Sequence, residues 1–204
     1  MERVWIRIFA EAGFPTVPKP LLRDCNIPLH PRDARQLDFR AGAIDGRGLL
    51  TCADVTVVSA LDGKGRPHGR AADADGVALA AAEDRKADKY PELAVANPFG
   101  VLTVLAAEIA GRWNPTTQRV LAALVRSRVQ RDPPALRNAA AQAWAHRWGC
   151  MLAVALQKAV AISLLDAEAP TTYVPADAPV HLADVLADAA WCTNPPVSRL
   201  PWRE

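Results

Sequence analysis

With 204 residues, the chain is long enough to bury one substantial hydrophobic core, and we expect one domain or one domain with an appendage. Its 24 Lys and Arg nearly balance 22 Asp and Glu, so the net charge of +2 favours no class of partner by itself. The four Cys and four His lack zinc-finger spacing, and no apolar run reaches the roughly 18 residues of a membrane span, so we expect no zinc and no membrane partner.

The first half of the chain predicts a helix, an extended segment and a hairpin. Apolar residues at helical spacing predict a helix over residues 2–12, and Gly13 is placed to end it. Five Pro between residues 14 and 33 disfavour a regular helix there and predict an extended segment. Residues 36–41 and 49–61 have the pattern of strands, and the Gly-containing turn between them predicts a hairpin.

The second half of the chain predicts a crossover followed by two helices. A polar loop over residues 62–76 leads to a helix over 77–93, and residues 99–108 are a nearly all-apolar run, typical of a strand covered on both faces. Because a helix joins this strand to the hairpin, we expect a βαβ crossover. A capped helix over about 115–131 and an Ala-rich helix over about 135–167 follow.

This order of elements predicts an α/β (α+β) fold with a small mixed β-sheet flanked by helices. We expect residues 1–131 to form the core of the domain. Residues 132–167 then form a long C-terminal helix packed on or beside it, and residues 168–204 form a Pro-rich tail with regular structure only at 180–191. The scattered thiols are expected to be reduced and to bind no metal, as in an intracellular protein.

Asp54 stands in the middle of the second predicted strand, where an unpaired buried carboxylate would be costly. Alternation along the strand places Asp54 on one face with Thr56. In the preceding strand, Asp38 points away from Leu37 and Phe39, so the hairpin can bring the two carboxylates together. Two close carboxylates repel unless a cation or a shared proton separates them, and such oxygen ligands suit Mg²⁺. The spacing alone is nevertheless more typical of a structural Asp that accepts backbone hydrogen bonds.

Lys86 is the third residue of this predicted group. On its helix it lies in line with Leu79, Tyr90 and Leu93, so it projects from the half-apolar side and needs a negatively charged partner. Carboxylates on the neighbouring strands of the crossover would provide one. The alternative is an ordinary surface lysine whose aliphatic stem covers apolar surface.

Four short runs between Arg35 and Trp113 carry a further pattern. They are 35-RQLDF-39 with a first acid, 54-DVTVVSAL-61 with a second acid, 86-KADKYPEL-93 with Lys and Tyr four residues apart, and 101-VLTVLAAEIAGRW-113 with an apolar strand. In this order the runs resemble the restriction-endonuclease-like nucleases, the PD-(D/E)xK superfamily, and above all the endonuclease region of non-LTR retrotransposon polyproteins. They are also similar to retroelement-derived reading frames of dinoflagellates. The resemblance implies a restriction-endonuclease-like fold.

The sequence departs from this family at two positions. Leu37 stands where the family has a Pro before its first acid. Thr56 stands two residues after the second acid, where the family normally has its catalytic lysine. Members that lose the strand lysine can supply it from the following helix, which points to Lys86. Lys89 could share that helix face, but the spacing of four residues to Tyr90 in the matched run favours Lys86.

The resemblance implies a metal-dependent DNA endonuclease that leaves a 5′-phosphate and a 3′-hydroxyl. Asp38, Asp54 and the backbone carbonyl of Val55 would hold Mg²⁺ or Mn²⁺, which activates a water and screens charge on phosphorus. Lys86 would orient the attacking water or stabilise the developing charge. The candidate auxiliary residues are Glu11 on the first helix, Lys89 and Tyr90. For Glu11, a role on the surface of an amphipathic helix is the more common one.

The region from residue 112 to 147 is basic, with seven Arg against one acid. Such a cluster suits contacts with phosphates, and Arg112, Arg119 and Arg126 are the candidate nucleic-acid-binding residues. A solvated helix surface explains the same charges equally well. Trp144 and Trp148 lie one turn apart on the long helix, which is more typical of core packing than of a platform for stacked bases.

The sequence is compatible with three functions. The first is a DNA endonuclease of retroelement origin, acting alone or beside a reverse-transcriptase domain in a parent polyprotein; it would be intracellular, and nuclear if it cuts genomic DNA. The second is a catalytically inactive remnant that serves as a nucleic-acid-binding or helical interaction module. The third is an unrelated α/β protein whose acidic residues are structural.

Overall fold

The computed structural model describes residues 1–25, 27–44, 48–62, 64–71, 73–94 and 100–165. The strands, in chain order, are β1 (Thr16–Pro18), β2 (Phe39–Ala41), β3 (Thr51–Val58) and β4 (Val101–Glu108). The helices are α1 (Glu2–Glu11), α2 (Val77–Lys89), α3 (Pro91–Ala94), α4 (Pro115–Val129) and α5 (Arg137–Leu165), with short 3₁₀ helices at Leu22–Cys25 and Pro134–Leu136. The predicted Pro-rich tail, 168–204, and its regular segment, 180–191, lie outside the described residues.

The four strands form one mixed sheet in the order β1-β2-β3-β4. β1, β2 and β3 pair antiparallel, whereas β3 and β4 are parallel and are connected through α2. The predicted α/β fold with a mixed sheet, its hairpin and its βαβ crossover are therefore confirmed. The extended Pro-rich segment contains β1, which adds a strand to the edge of the predicted sheet.

The strand β2 is shorter than predicted, and the expected orientation of its first residues was wrong. Leu37 packs with Cys52 and Tyr90 on one face of the sheet, whereas Phe39 packs with Ala53 on the other. Regular alternation would have put Leu37 and Phe39 on the same face. The backbone therefore leaves the regular strand conformation before Phe39. Asp38 lies at this point.

The predicted helix over 77–93 is divided in two at Tyr90. α2 ends at Lys89 and α3 begins at Pro91, and Tyr90 between them has φ −125° and ψ 58°. The residue before a Pro is disfavoured in the helical conformation because the Pro ring crowds its backbone. The break turns the Tyr90 side chain into the protein, where it is completely buried.

Helices cover both faces of the sheet. α1, α4 and α5 pack on one face in a single core cluster, whose largest members are completely buried: Trp5, Phe9, Phe39, Trp144 and Trp148. α2, α3 and the first 3₁₀ helix cover the other face, where the buried free thiols Cys25 and Cys52 also lie. Core packing of the two tryptophans of α5 is thus confirmed, and their ring centroids are 5.3 Å apart. No described helix is both long and apolar enough to cross a membrane.

The start of α4 connects the two faces. The Asn114 side chain accepts a hydrogen bond from the Thr117 N–H at 3.0 Å, and Pro115 occupies the first helical position, so the predicted capped start is confirmed. The Asn114 amide also donates to the Val104 carbonyl at 2.9 Å and to the Glu83 carboxylate. One completely buried side chain therefore ties α4 to β4 and to α2.

Candidate functional site

Asp54 lies on the face of β3 that α2 covers, and only 3% of the residue is exposed. The Lys86 Nζ atom is 2.6 Å from its Oδ1 atom. The contact forms because the crossover helix packs over β3 and β4 and directs Lys86 down onto the strand. A buried carboxylate is costly unless it is paired, and Lys86 supplies the pairing charge. Thr56, two residues after Asp54, leaves this role to the helix.

Asp38 lies beside Asp54 across the hairpin. Phe39 is paired with Ala53, so the residue before Phe39 lies opposite the residue after Ala53. Two hydrogen bonds hold Asp38 there: the Asp38 N–H donates to the Ala53 carbonyl at 3.1 Å, and Asp38 Oδ2 accepts from the Val55 N–H at 2.7 Å. The N–H and C=O of a strand residue point to the same side, so the Val55 carbonyl faces this edge as well. The two predicted acids are thus neighbours.

A second lysine, Lys19, directly follows β1 and reaches the site. The Lys19 Nζ atom is 2.9 Å from Asp38 Oδ1 and 2.6 Å from Glu2 Oε2, where Glu2 is the first residue of α1. Burial alone would lower the pKa of the Lys19 ammonium, but its hydrogen bonds to Glu2 and Asp38 outweigh burial and raise that pKa. Sequence reasoning identified neither Lys19 nor Glu2, because the Pro-rich segment around Lys19 has no periodic pattern.

Tyr90 lies beneath the acids. Its hydroxyl donates a hydrogen bond to the Gln36 carbonyl at 2.7 Å. Burial, followed by the negative charges of Asp54 and Asp38, raises the pKa of the Tyr90 phenol, so the hydroxyl stays protonated at neutral pH. Tyr90 is therefore a hydrogen-bond donor and not a base.

Lys89 occupies a different place from Lys86 although both belong to α2. Its Nζ atom lies over the ring of Tyr90, 4.8 Å from the ring centroid. This is the geometry of a cation–π contact, in which the ammonium is attracted to the face of the aromatic ring. Of the two candidate lysines, Lys86 is the one that contacts an acid of the site.

Arg35 fixes the position of the junction between α2 and α3, where Tyr90 lies. Its guanidinium contacts Glu92 at 2.6 Å and Asp33 at 2.8 Å, and it donates a hydrogen bond to the Lys89 carbonyl at 2.7 Å. The hydrogen bonds from Arg35 lower the pKa of both carboxyl groups, Asp33 and Glu92. This network joins the chain before β2 to the junction of α2 and α3. Arg35 belongs to the matched run 35–39, but nothing in the sequence marked it as a positioning residue.

Glu11 takes part in a separate network at the other end of α1. Its carboxylate accepts hydrogen bonds from Arg7 at 3.0 Å, from Arg147 at 3.2 Å and from the Trp148 indole at 2.8 Å. Burial by itself would raise the pKa of Glu11, but the hydrogen bonds from Arg147 and Trp148 lower it further than burial raises it. The nine helical steps from Glu2 to Glu11 correspond to about 14 Å, so the structure does not bring Glu11 to the other predicted acids.

The predicted nucleic-acid-binding arginines differ in their surroundings. Arg112 contacts Asp75 at 2.9 Å and lies 3.8 Å from Glu108. Arg119 and Arg126 are exposed and share a face of α4, as their spacing of seven residues predicts. α4 covers the sheet face opposite to α2, so these two arginines lie across the sheet from Asp54.

Asp38 and Asp54 are the residues that could hold a metal ion, together with the Val55 carbonyl. Among the described residues, no group of three or more His, Cys, Asp or Glu side chains is placed to bind one. Mg²⁺ is commonly held by one or two carboxylates and keeps several waters, whereas zinc takes Cys and His ligands. The donor set therefore fits Mg²⁺ or Mn²⁺, and the ammonium groups of Lys19 and Lys86 show that each carboxylate attracts a cation.

The site combines two adjacent acids, two lysines and a buried tyrosine at one edge of the hairpin. Each acid pairs with the ammonium group of one of the lysines. No known protein family, curated protein or solved structure matches this chain.

Proposed function

We propose that this chain is a metal-dependent DNA endonuclease whose site is formed by Asp38, Asp54 and Lys86. The observation that carries the proposal is the contact between Lys86 Nζ and Asp54 Oδ1 at 2.6 Å. Lys86 comes from the helix after the strand of the second acid, which is where the nucleases that this sequence resembles can supply the lysine when the strand lacks it. The sequence has Thr56 at the strand position.

Asp38 and Asp54 would bind Mg²⁺ with the Val55 carbonyl. The Asp38 carboxylate is oriented for this role, because its Oδ2 is held by the Val55 N–H and its Oδ1 already faces a cation, the ammonium of Lys19. The ion would lower the pKa of a bound water and screen the charge that develops on phosphorus. The donor set of two carboxylates and a carbonyl supports Mg²⁺ or Mn²⁺ as the cofactor.

Lys86 would position the attacking water or stabilise the phosphate. Its side chain is 25% exposed, so the ammonium borders both the buried Asp54 and the solvent from which a substrate arrives. Tyr90 keeps its proton, which it donates to the Gln36 carbonyl, so it does not compete for the proton of the water. Attack on the phosphorus with departure of the 3′-oxygen would leave a 5′-phosphate and a 3′-hydroxyl.

The exposed Arg119 and Arg126 would bind DNA phosphates at a distance from the cleaved one. Because they lie across the sheet from Asp54, a duplex would have to extend around the domain to meet both surfaces. Such contacts raise affinity without reading sequence. Experiments can separate these contacts with DNA from the cleavage reaction.

The direct test is nicking of supercoiled plasmid with Mg²⁺ or with EDTA. We expect Asp54→Asn and Lys86→Met to lower the nicking rate about 100-fold or more, as loss of a group that stabilises the transition state does. The matched controls are Asp132→Asn, a buried Asp that pairs with Arg128 away from the site, and Lys89→Met on the same helix. Both controls should nick plasmid nearly as well as the wild type.

Two results would decide against the proposal. Nicking that is indifferent to EDTA and to Asp54→Asn would come from another source and would exclude this site. A folded wild-type protein that binds DNA but does not nick it in Mg²⁺ or Mn²⁺ would instead be the inactive nucleic-acid-binding remnant.

A further inference from the structure

Lys19 has an unusual backbone conformation. Its φ is +49°, and among the described residues it is the only one other than glycine with a positive φ. Non-glycine residues are disfavoured there because the Cβ crowds the backbone, and such residues cluster at functional sites. Hydrogen bonds hold the conformation: the Lys19 N–H donates to the Asp38 carbonyl at 2.9 Å, and its carbonyl accepts from the Gln36 amide at 2.7 Å. A glycine would fit this position without strain, so the presence of Lys indicates a use for its side chain.

The Lys19 side chain occupies a cation position between two acids. Its ammonium lies 2.6 Å from Glu2 and 2.9 Å from Asp38 Oδ1. The other Asp38 oxygen accepts from the Val55 N–H, so Oδ1 is the oxygen that faces away from the strand backbone. Lys19 is therefore bound to the Asp38 oxygen that the strand backbone leaves available for a cation. Nearly half of the side chain is exposed, at 49%, which leaves room for its long stem to move.

We propose that Lys19 is a further residue of this site, a built-in cation that occupies Asp38 Oδ1 in the metal-free protein and binds a nucleic-acid phosphate when Asp38 engages a divalent ion. The first half of the inference rests on the metal site of the proposed function, and the second half rests on its nucleic-acid substrate. An ammonium and a divalent ion repel each other strongly at one oxygen, so Lys19 must move when the ion binds. Glu2 keeps the ammonium near the site after it leaves Asp38.

A purely structural ion pair would behave differently. Surface salt bridges contribute little to stability, and deleting one does not change metal affinity through competition. If Lys19 competes with the ion, its removal strengthens metal binding. If Lys19 also binds phosphate, the same change weakens DNA binding, and the two effects have opposite signs.

The test uses Lys19→Gly and Lys19→Met with the full chain. Lys19→Gly removes the ammonium and also the strain that a positive φ imposes on a residue with a Cβ. We therefore expect this variant to fold at least as well as the wild type. Mn²⁺ affinity is measured without DNA by titration calorimetry, and DNA affinity by fluorescence anisotropy with Ca²⁺ over a range of salt. We expect both variants to bind Mn²⁺ about fivefold more tightly. The slope of log DNA affinity against log salt should become shallower by about 0.9, which corresponds to the loss of one phosphate contact.

Two control variants complete the design. Lys19→Arg keeps the charge and should keep Mn²⁺ affinity near that of the wild type. Lys64→Met removes an exposed lysine from the loop after β3 and should change neither affinity.

Each outcome decides one part of the proposal. Unchanged Mn²⁺ affinity in both Lys19 variants would overturn it even if the wild type nicks DNA. Tighter Mn²⁺ binding with unchanged DNA affinity would overturn the proposed contact between Lys19 and a DNA phosphate. Tighter Mn²⁺ binding in a protein that never nicks DNA would leave the competition by Lys19 established while the endonuclease proposal fails.

Discussion

Lys86 and Asp54 are 2.6 Å apart at their charged atoms although 32 residues separate them in the sequence. The βαβ crossover makes this contact possible, because it returns the chain over the strand it has just left. The pair joins one side chain that is 25% exposed to one that is 5% exposed, so a charge from the surface neutralises a charge in the interior. The stability of the fold and the proposed chemistry of the site therefore depend on the same two residues.

Lys86→Met should destabilise the protein more than its exposure suggests. It leaves the Asp54 carboxylate buried and unpaired, for which we expect a loss of about 3 kcal/mol in the free energy of unfolding. The double variant Asp54→Asn/Lys86→Met should recover most of this loss, because no buried charge remains. Urea unfolding of the wild type and of the single and double variants measures the coupling. Strictly additive losses would show that the pair is not coupled.

Tyr90→Phe should lower stability by about 1–2 kcal/mol, because the Gln36 carbonyl loses the hydrogen bond that the buried phenol donates. The change should also alter how the free energy of unfolding depends on pH at high pH. Since the pKa of Tyr90 is raised in the folded state, the unfolded chain loses this proton first, at about pH 10. The contribution of Tyr90 is therefore complete below about pH 10 and declines as pH rises towards the folded-state pKa. Thermal unfolding of both proteins between pH 8 and 11, with Tyr90→Phe less sensitive than the wild type, checks this.

Glu2→Gln and Glu11→Gln form a matched pair on one helix. Glu11→Gln should lower stability and leave the nicking rate of the folded protein unchanged, because Glu11 binds Arg147 and Trp148 on α5. Glu2→Gln should change the nicking rate with little loss of stability, because Glu2 contacts Lys19 at the site. Plasmid nicking and urea unfolding of both variants separate the two roles. Equal effects on nicking would contradict this assignment.

Acid should also reveal the role of Glu11. Its folded-state pKa is lowered, so its contribution to stability is present above the unfolded value of about 4.3 and is lost as pH falls towards the folded value. The difference in unfolding free energy between the wild type and Glu11→Gln should therefore narrow below about pH 4. A difference that stays constant down to pH 3 would exclude a lowered pKa.

Arg119→Ala and Arg126→Ala should weaken DNA binding without affecting the chemical step. Each phosphate contact that is lost reduces the slope of log affinity against log salt by about 0.9 on duplex DNA. The single-turnover nicking rate at saturating DNA should stay at the wild-type value. Arg66→Ala, an exposed arginine in the loop after β3, is the control and should leave the slope unchanged. Unchanged slopes in all three variants would place the DNA elsewhere.

Several features could be predicted from the sequence because they depend on neighbouring residues. Alternating side chains placed Asp54 on one face of a strand, and the Gly-containing turn predicted the hairpin that brings Asp38 to it. The Asn114 cap and the run of apolar residues in β4 are equally local signals. The α/β fold followed from the order of these elements.

Other features depend on packing between distant segments. Lys86 and Lys89 belong to one helix, and the docking of α2 on β3 brings Lys86, which the spacing to Tyr90 favoured, to the acid and Lys89 to the ring of Tyr90. Both Glu2 and Glu11 belong to α1, and the burial of the apolar face of that helix decides which end meets the site. The contact of Lys19 depends on the pairing of β1 with β2.

The sequence by itself therefore predicted most of the elements, their order, the two acids and Lys86. The tertiary structure added β1 and decided that Lys19 and Glu2 accompany those acids. The physical reason is that helix and strand periodicity specify the direction of a side chain relative to its own element, whereas the partner it meets depends on how the elements pack around the shared core.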